Sequence, residues 1–294
     1  MSASKYKGTG VALITPFHKD KTVDFPALER LVDFVIEGGV DYLVALGTTA
    51  ETPTLSHAEK LDVLINIIER NKSRVPIVCG LGGNNTQEVI KQFETYPMDK
   101  MDAILSVSPY YNKPSQAGIM AHYKEIAKHC PVPIILYNVP GRTGSNMLAA
   151  TTLQLANDCE NIIGMKEASG NMIQCMELVK GKPKHFTLLS GDDNLAMAQI
   201  ACGFDGVISV AANCFPKDFC DLIQSSLNHA FTHAQKMQYK LLEGLDLLFA
   251  EGNPSGVKCV LNELGICENE LRLPMTPVSH TTHESIKRFL KTLS

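Results

Sequence analysis

The sequence has no excess of basic charge. Its 294 residues carry a formal net charge of -4, with both signs interspersed, so it offers no positive field for nucleic acid and no polybasic stretch for anionic lipid. No run approaches the roughly 18 apolar residues of a membrane span, and the opening "MSASKYKGTG" lacks the apolar core of a secretory signal. We therefore expect a cytoplasmic protein whose partners are small molecules, not nucleic acid or a membrane.

Cysteine pairs and cofactor motifs are also missing. Nine cysteines are scattered through apolar surroundings without a C-x-x-C spacing, which indicates reduced thiols and neither a disulfide framework nor a zinc site. His229 and His233 have an i, i+4 spacing, but no carboxylate or thiolate joins them in the sequence, so two polar helix positions are the favoured interpretation. No G-x-G-x-x-G opens the first βα unit, which disfavours a doubly wound open sheet. We expect no metal and no organic cofactor.

The chain does contain eight short, near-continuously apolar runs, each followed by a longer amphipathic stretch. This pattern is typical of parallel strands covered by helices, and eight such units predict an α/β fold of the (β/α)8 TIM barrel type. The runs are residues 11–17, 41–49, 75–82, 103–109, 133–140, 162–168, 186–193 and 206–212. Beyond them the sequence is helical. We expect a catalytic barrel over residues 1–229 and a C-terminal helical domain over residues 230–294.

Polar residues gather where the predicted strands end, which is where barrels form their active sites. Lys166 is the most unusual, because it ends the otherwise apolar run in "IIGMKEASG". Side chains alternate along a strand, so Lys166 is expected to share a face with Gly164 and Ile162, while Glu167 points away and cannot easily pair with it. Desolvation disfavours a charged ammonium, and a neutral amine can attack a carbonyl as a Schiff-base nucleophile. A structural, ion-paired lysine is the alternative.

Schiff-base chemistry needs a group that accepts and returns protons near the amine. The phenol of Tyr137, expected on the neighbouring strand at a similar height, suits this role, and the hydroxyls of Thr48 and Tyr111 could stabilise its phenolate. Arg142, just after that strand, offers a planar fork for a substrate carboxylate. Ordinary alternatives remain: a threonine that caps a turn, a tyrosine that packs over a loop, and an arginine in a surface ion pair.

Seven blocks of sequence, in the same order, resemble the dihydrodipicolinate synthase family nearly from end to end. They are "GTTAETPTL", "SPYYNKPSQ", "LYNVPGRTG", "IIGMKEASGN", "LLSGDD", "GVISV" and "LRLPMTP". The resemblance implies a lyase in which Lys166 forms a Schiff base with pyruvate and Tyr137 donates and accepts protons. Thr48 and Tyr111 would complete the proton relay. Tyr111 would reach in from a neighbouring subunit of a homotetramer built as a dimer of dimers.

The resemblance also implies where the substrates bind. Thr49 and the backbone around Ile208 would hold the pyruvate carboxylate, with Gly191 among the substrate-binding residues, and Arg142 would receive L-aspartate 4-semialdehyde. The enamine would then attack the aldehyde, and the amino group would close the ring while displacing Lys166. The resemblance thus implies the 4-hydroxy-tetrahydrodipicolinate-forming step of the diaminopimelate route of lysine biosynthesis.

A regulatory site follows from the same resemblance. The family's lysine feedback site would map to Thr52, Pro53, His57, Lys60, Asn84, Glu88 and Tyr110. Lys60 stands where feedback-sensitive members tend to have histidine or glutamate, and a cation there should repel the ammonium groups of incoming lysine. We therefore expect weak or absent inhibition. Ala50 stands where the family motif usually has glycine, which leaves both neighbouring threonines in place.

Two other functions stay open at this point. One is another pyruvate-dependent aldolase, such as N-acetylneuraminate lyase or a keto-deoxy-sugar-acid aldolase, which would share the barrel, Lys166 and Tyr137 but take a sugar as the acceptor. The other is a barrel that only binds a metabolite. Mere binding needs no proton relay, so the joint presence of Lys166, Tyr137, Thr48 and Tyr111 argues against it.

Overall fold

The computed structural model describes residues 3–293, and in them eight parallel strands close into a barrel. The strands are β1 Gly8–Ala12, β2 Tyr42–Ala45, β3 Ile77–Gly80, β4 Ala103–Val107, β5 Ile134–Asn138, β6 Ile162–Glu167, β7 Thr187–Ser190 and β8 Gly206–Ser209. Each strand pairs with the next along the chain, and β8 pairs with β1. The closed order confirms the predicted (β/α)8 fold.

Helices follow the strands and continue beyond the barrel. Within the described residues they are α1 Phe25–Glu37, α2 His57–Asn71, α3 Thr86–Thr95, α4 Gln116–His129, α5 Pro140–Thr143, α6 Ala149–Asp158, α7 Met172–Gly181, α8 Ala196–Ala201, α9 Pro216–Leu227, α10 Phe231–Phe249, α11 Ser255–Glu263 and α12 His280–Leu293. The local sequence explains where several of these helices begin. The Ser56 hydroxyl accepts the Glu59 N–H at 3.2 Å while the Glu59 carboxylate accepts the Ser56 N–H at 2.8 Å, a reciprocal cap that begins α2.

The first strand lies earlier in the chain than the apolar run 11–17 predicts. It spans Gly8–Ala12, and its glycines hide it from a pattern search because glycine has a low strand propensity. A Cβ on Gly10 would lie only 2.1 Å from the Tyr42 ring, so the inside of the barrel requires glycine there. The rest of the predicted run is buried without belonging to the sheet, as Phe17 at the end of it is.

Two apolar layers hold the barrel, one between strands and helices and one inside the ring of strands. In β6, Ile162 packs in the outer layer and Ile163 in the inner one. The β5–β6 register shifts beside Ile134, and a bulge of this kind interrupts the alternation of side chains. The expectation that Ile162 shares a face with Lys166 is therefore wrong.

The C-terminal helices pack on one another and on the barrel. Helix α9 follows β8, and α10 packs against α9, α11 and α12. Helix α10 begins at Phe231, beside the expected boundary at residue 230, although the division into two domains stays a prediction. None of the helices in residues 3–293 is long and apolar enough to cross a membrane.

Candidate active site

A cavity of about 620 Å³ lies at the C-terminal ends of the strands. It brings together six residues that the sequence singled out, namely Thr48, Thr49, Tyr137, Arg142, Lys166 and Gly191. Ile208 belongs to the inner apolar layer, is 1% exposed and is not among the residues that line the cavity. Polar groups from at least four different strand ends thus converge on one space, as the barrel architecture requires of a reaction site.

Lys166 and Tyr137 form the centre of the cavity. Both side chains are buried, with exposed fractions of 5% and 7%. The two residues are paired in register across β5 and β6, and the Lys166 Nζ lies 4.6 Å from the centroid of the Tyr137 ring. A Cβ on Gly191 would lie 3.0 Å from the Lys166 Cε, so the absence of a side chain there leaves the lysine its place.

Glu167 points to the other side of β6, as the strand alternation predicts. Its buried carboxylate accepts hydrogen bonds from the Ser169 N–H at 2.7 Å, from the Gln174 amide at 2.9 Å and from the Asn138 amide at 3.1 Å. Asn138 and Gln174 also both contact Asn146. This network ties the ends of β5 and β6 to α7 behind the cavity. Because Glu167 is engaged there, it does not form an ion pair with Lys166.

A second buried carboxyl, Asp193, was not singled out by its sequence position. Its Oδ2 accepts the N–H groups of Val210 at 3.0 Å and Ala211 at 2.8 Å. Burial raises the pKa of Asp193 to about 6, against the opposing effects of those hydrogen bonds and of the Lys166 charge. Asp192 also lines the cavity. The signal for both was "SGDD" at the end of a predicted strand, where polar residues gather in barrels.

The segment after β2, residues 47–52, is called the threonine turn below. It contains the 3₁₀ helix Thr48–Ala50. The Thr49 hydroxyl oxygen accepts a hydrogen bond from the Asn253 amide at 3.0 Å, and Thr52 donates to the Gly47 carbonyl at 2.8 Å. Thr49 is buried and Thr48 half-buried. Both line the cavity, and the bond from Asn253 holds the Thr49 hydroxyl at its wall.

The C-terminal helical region also lines the cavity, which the sequence did not indicate. Asp246 and Phe249 on α10 and Asn253 after it belong to the wall. Polar residues on an amphipathic helix look like a solvated face, so no local signal marks them. Only the packing of α10 over the strand ends reveals their position.

Of the two remaining predicted residues, Arg142 lines the cavity and Tyr111 does not. Arg142 lines the cavity from α5 with an exposed side chain, a position that suits the mouth of the site. Tyr111 is 88% exposed, has a positive φ of 70° and lies outside the lining of the cavity. A tyrosine held so far in solvent is unusual, because its ring is mostly apolar.

The residues of the candidate lysine site lie around α2, α3 and the loop after β4. The Asn84 amide donates to the Tyr110 carbonyl at 3.1 Å, and the His57 ring meets Tyr96 edge-on at 5.6 Å between centroids. Glu88 is paired with Lys91 at 2.9 Å. Among the ion pairs of the described residues, Lys60 has no carboxylate partner within 4.0 Å, and the one acid of the candidate site, Glu88, pairs with Lys91 instead.

Metal-binding groups are not assembled in the described part of the chain. Within residues 3–293, no cluster of three or more histidine, cysteine, aspartate or glutamate side chains could hold an ion. His233 instead lies 2.8 Å from a carboxylate oxygen of Asp221, a partner one helix away that the spacing of His229 and His233 did not reveal. All nine cysteines are free thiols.

Comparison with known proteins places this geometry in context. The chain matches the model of the Dihydrodipicolinate synthetase family over residues 5–293. It is 50% identical over 287 residues to the 4-hydroxy-tetrahydrodipicolinate synthase of Flavobacterium psychrophilum, with 98% of each chain covered. The chloride-inhibited dihydrodipicolinate synthase of Acinetobacter baumannii, solved with pyruvate, matches with a TM-score of 0.94 and 39% identity over 97% of this chain and 98% of that one. A monomeric dihydrodipicolinate synthase variant matches with a TM-score of 0.96 and 36% identity over 99% and 97% of the respective chains.

Proposed function

Because the chain belongs to the dihydrodipicolinate synthetase family, we propose that it condenses pyruvate with L-aspartate 4-semialdehyde to form 4-hydroxy-tetrahydrodipicolinate. The observation that carries this proposal is the buried Lys166 amine 4.6 Å from the centre of the Tyr137 ring inside a cavity of about 620 Å³. The relative from F. psychrophilum has this activity in its name. The relative from A. baumannii was solved with pyruvate.

The proposed reaction begins at Lys166. Its amine attacks the pyruvate ketone, and water leaves as the imine forms. Loss of a methyl proton gives an enamine, whose carbon attacks the aldehyde of the second substrate. The amino group of that substrate then attacks the imine carbon and displaces Lys166, which closes the ring. Tyr137, which is paired with the lysine across the β5–β6 ladder, accepts and returns the protons, and Thr48 and a Tyr111 hydroxyl complete the relay.

Substrate recognition follows from hydrogen-bonding capacity. The Thr49 oxygen already accepts from Asn253, so its O–H is free to donate to the pyruvate carboxylate. The backbone near Ile208 and Gly191 would hold the same substrate. Arg142 at the exposed rim would bind the carboxylate of the aldehyde substrate through its planar fork. Pyruvate would thus bind deep and the aldehyde nearer the mouth.

The assembly belongs to the proposal as well. Tyr111 lies outside the lining of its own cavity and is largely solvent-exposed, so a catalytic role requires that it enter the site of a second copy. We therefore infer a homotetramer, a dimer of dimers, in which each dimer completes two sites. A cytoplasmic location completes the proposal, since nine free thiols suit a reducing compartment.

The proposal is tested by consumption of pyruvate in the presence of aspartate semialdehyde, with Lys166→Ala as the critical variant. We expect turnover that requires both substrates and falls by about 1,000-fold or more in the variant, because the nucleophile is lost. Lys182→Met, which removes a lysine paired with Asp205 outside the cavity lining, is the matched control and should retain turnover. Consumption of pyruvate with a sugar in place of aspartate semialdehyde would instead identify a sugar-acid aldolase.

A further inference from the structure

We propose that the buried ion pair of Glu51 and Lys258 positions the threonine turn, so that a residue of the C-terminal helical region sets the geometry of the Thr48 and Thr49 hydroxyls. The inference rests on the proposed function, because it concerns the same reaction. Neither charged residue lines the cavity. Both act through the turn.

The pair is fully removed from water. The side chains of Lys258 and Glu51 are 0% and 1% exposed, and the Lys258 Nζ lies 2.6 Å from the Glu51 Oε1. The Lys258 ammonium also donates to the Glu270 carbonyl at 2.7 Å and lies 4.0 Å from the centroid of the Phe17 ring. The second carboxylate oxygen of Glu51 accepts the Arg272 N–H at 3.0 Å. Burial lowers the pKa of Lys258, and the charge of Glu51 opposes that effect.

Glu51 is itself part of the threonine turn. It ends the 3₁₀ helix that carries Thr48 and Thr49, and its backbone is left-handed, with φ 52° and ψ 33°. This conformation is unfavourable for a residue with a side chain, so the surrounding contacts must hold it. The carboxylate bonds to Lys258 and the Arg272 N–H are such contacts.

Other bonds show how closely the turn is held from this side. The Thr15 hydroxyl donates to the Ala50 carbonyl at 2.8 Å, and the Asn253 amide donates to Thr49 at 3.0 Å. Asn253 lies just before α11, the helix that contains Lys258. The C-terminal region therefore holds the turn at two residues, Thr49 and Glu51, on either side of Ala50.

A positioning role explains why the pair is charged. Two charges moved out of water gain little net stability from one another, and neutral side chains of similar volume often stabilise a protein as well. A charge-assisted hydrogen bond is short and directional, however. It therefore defines the position of Glu51, and through the chain that of Thr48 and Thr49, more sharply than apolar contact would. An error of about 1 Å at a reacting group can reduce a rate by about 100-fold.

The experiment compares the unmodified protein with Lys258→Met and with the double variant Glu51→Gln/Lys258→Met. Each is measured for thermal stability, for kcat and KM with pyruvate, and for the rate at which borohydride traps pyruvate on Lys166. The single variant leaves a buried carboxylate without its cation, so it should lose stability and activity together. In the double variant no charge is unpaired. We expect its thermal midpoint to return close to that of the unmodified protein while kcat/KM for pyruvate stays about tenfold or more below it.

The double variant separates the two roles. A purely structural pair would restore activity along with stability, and that result would overturn the inference. If the double variant does not fold, Thr15→Val tests whether the position of the threonine turn controls activity. This variant removes one bond to the same turn without burying a charge. We expect it to lower kcat/KM in the same direction, and unchanged kinetics would contradict the proposal. Lys182→Met, which removes an ion pair away from the cavity, should change stability without changing kcat/KM.

The trapping assay keeps this inference separate from the proposed function. If the unmodified protein neither traps pyruvate nor consumes it, the proposed function fails. If it traps pyruvate but ignores aspartate semialdehyde, the acceptor is wrong, and the trapping rates of the variants still test the role of Glu51 and Lys258.

Discussion

At the scale of single residues, space around the Lys166 amine matters as much as its charge. Lys166 has a strand neighbour, Tyr137, against its amine and a glycine, Gly191, against its Cε. The family resemblance implies that Gly191 binds substrate, which stays a prediction, and the structure adds a steric reason for glycine at this position. In the proposed reaction, a well-packed lysine would reach the pyruvate ketone in one orientation.

Gly191→Ala tests this packing. The new methyl would lie 2.5 Å from the Ala168 Cβ and 3.0 Å from the Lys166 Cε, so Ala168 must shift and the lysine must give by a few tenths of an ångström. We expect kcat to fall by about tenfold or more, measured by steady-state turnover and by borohydride trapping. Gly141→Ala adds the same methyl to a cavity residue with no atom within 4 Å of the new Cβ, and should have a much smaller effect. Equal losses in the two variants would contradict the steric argument.

At the scale of secondary structure elements, one arginine near the C-terminus braces the start of α2. The Arg272 guanidinium bonds to Glu59 at 2.9 Å and to the Thr54 carbonyl at 2.9 Å. Glu59 also belongs to the cap of α2. The Arg272 guanidinium, together with the Ser56 bonds, lowers the pKa of Glu59 to about 2. A segment distant in sequence therefore fixes the helix that follows the threonine turn.

Glu59→Gln should therefore weaken the fold in a pH-dependent way. A depressed carboxyl pKa stabilises the folded state above the unfolded pKa, and this contribution is lost as the pH falls through 4.5 towards about 2. At pH 7 we expect a loss of about 1 kcal/mol in the free energy of unfolding, after allowance for solvent screening of a partly exposed pair. Denaturant titrations at several pH values between about 3 and 7 measure it.

Glu125→Gln is the matched control for that experiment. Glu125 pairs with Lys128 one helical turn away on the exposed face of α4, so its loss should change the stability little. A Glu59 effect that is no larger than this control, or one that does not shrink towards acid pH, would contradict the bracing role of Arg272.

At the scale of the whole molecule, a single chain does not bring Tyr111 to the cavity. It is 88% exposed, whereas its proposed partners in the relay, Thr48 and Tyr137, line the cavity. A role for Tyr111 in the proposed relay would therefore require a second copy of the chain. The monomeric relative means that membership of the family does not by itself establish the assembly.

Complementation between two inactive variants tests the shared site. Tyr111→Phe keeps Lys166, and Lys166→Ala keeps Tyr111. A mixed dimer contains one site with both groups. After subunit exchange at equal amounts, half of the dimers are mixed and each has one competent site of two, so we expect about a quarter of the unmodified activity to return. Mixed dimers detected by native mass spectrometry without any recovery would show that Tyr111 does not act across subunits.

The proposed feedback site depends on charge. Lys60 is half-buried on α2, and its cation should repel incoming lysine, so we expect weak or absent inhibition of the unmodified protein. Lys60→Glu should increase sensitivity to lysine by about tenfold or more, measured as the inhibitor concentration that halves turnover. Lys180→Glu makes the same charge change at an exposed site on α7 and should not. Strong inhibition of the unmodified protein at low lysine concentration would contradict this prediction.

The sequence alone determined the barrel, seven of its eight strands to within a few residues, and the pairing of Lys166 with Tyr137. Apolar runs and strand alternation are local properties, and each can be recognised within a few residues of chain. It misplaced β1, because Gly10 is required by the ring of Tyr42 from another strand, and it misjudged the face of Ile162, because a bulge depends on the register with β5.

Only the tertiary structure decided which distant groups support the reaction site. Asn253 touches Thr49, and Lys258 pairs with Glu51, across separations of 204 and 207 residues. Nothing local marks such contacts, since an asparagine before a proline or a lysine on a helix is ordinary by itself. Packing of the C-terminal helices over the strand ends creates them. Burial then turns these common side chains into the contacts that hold the threonine turn.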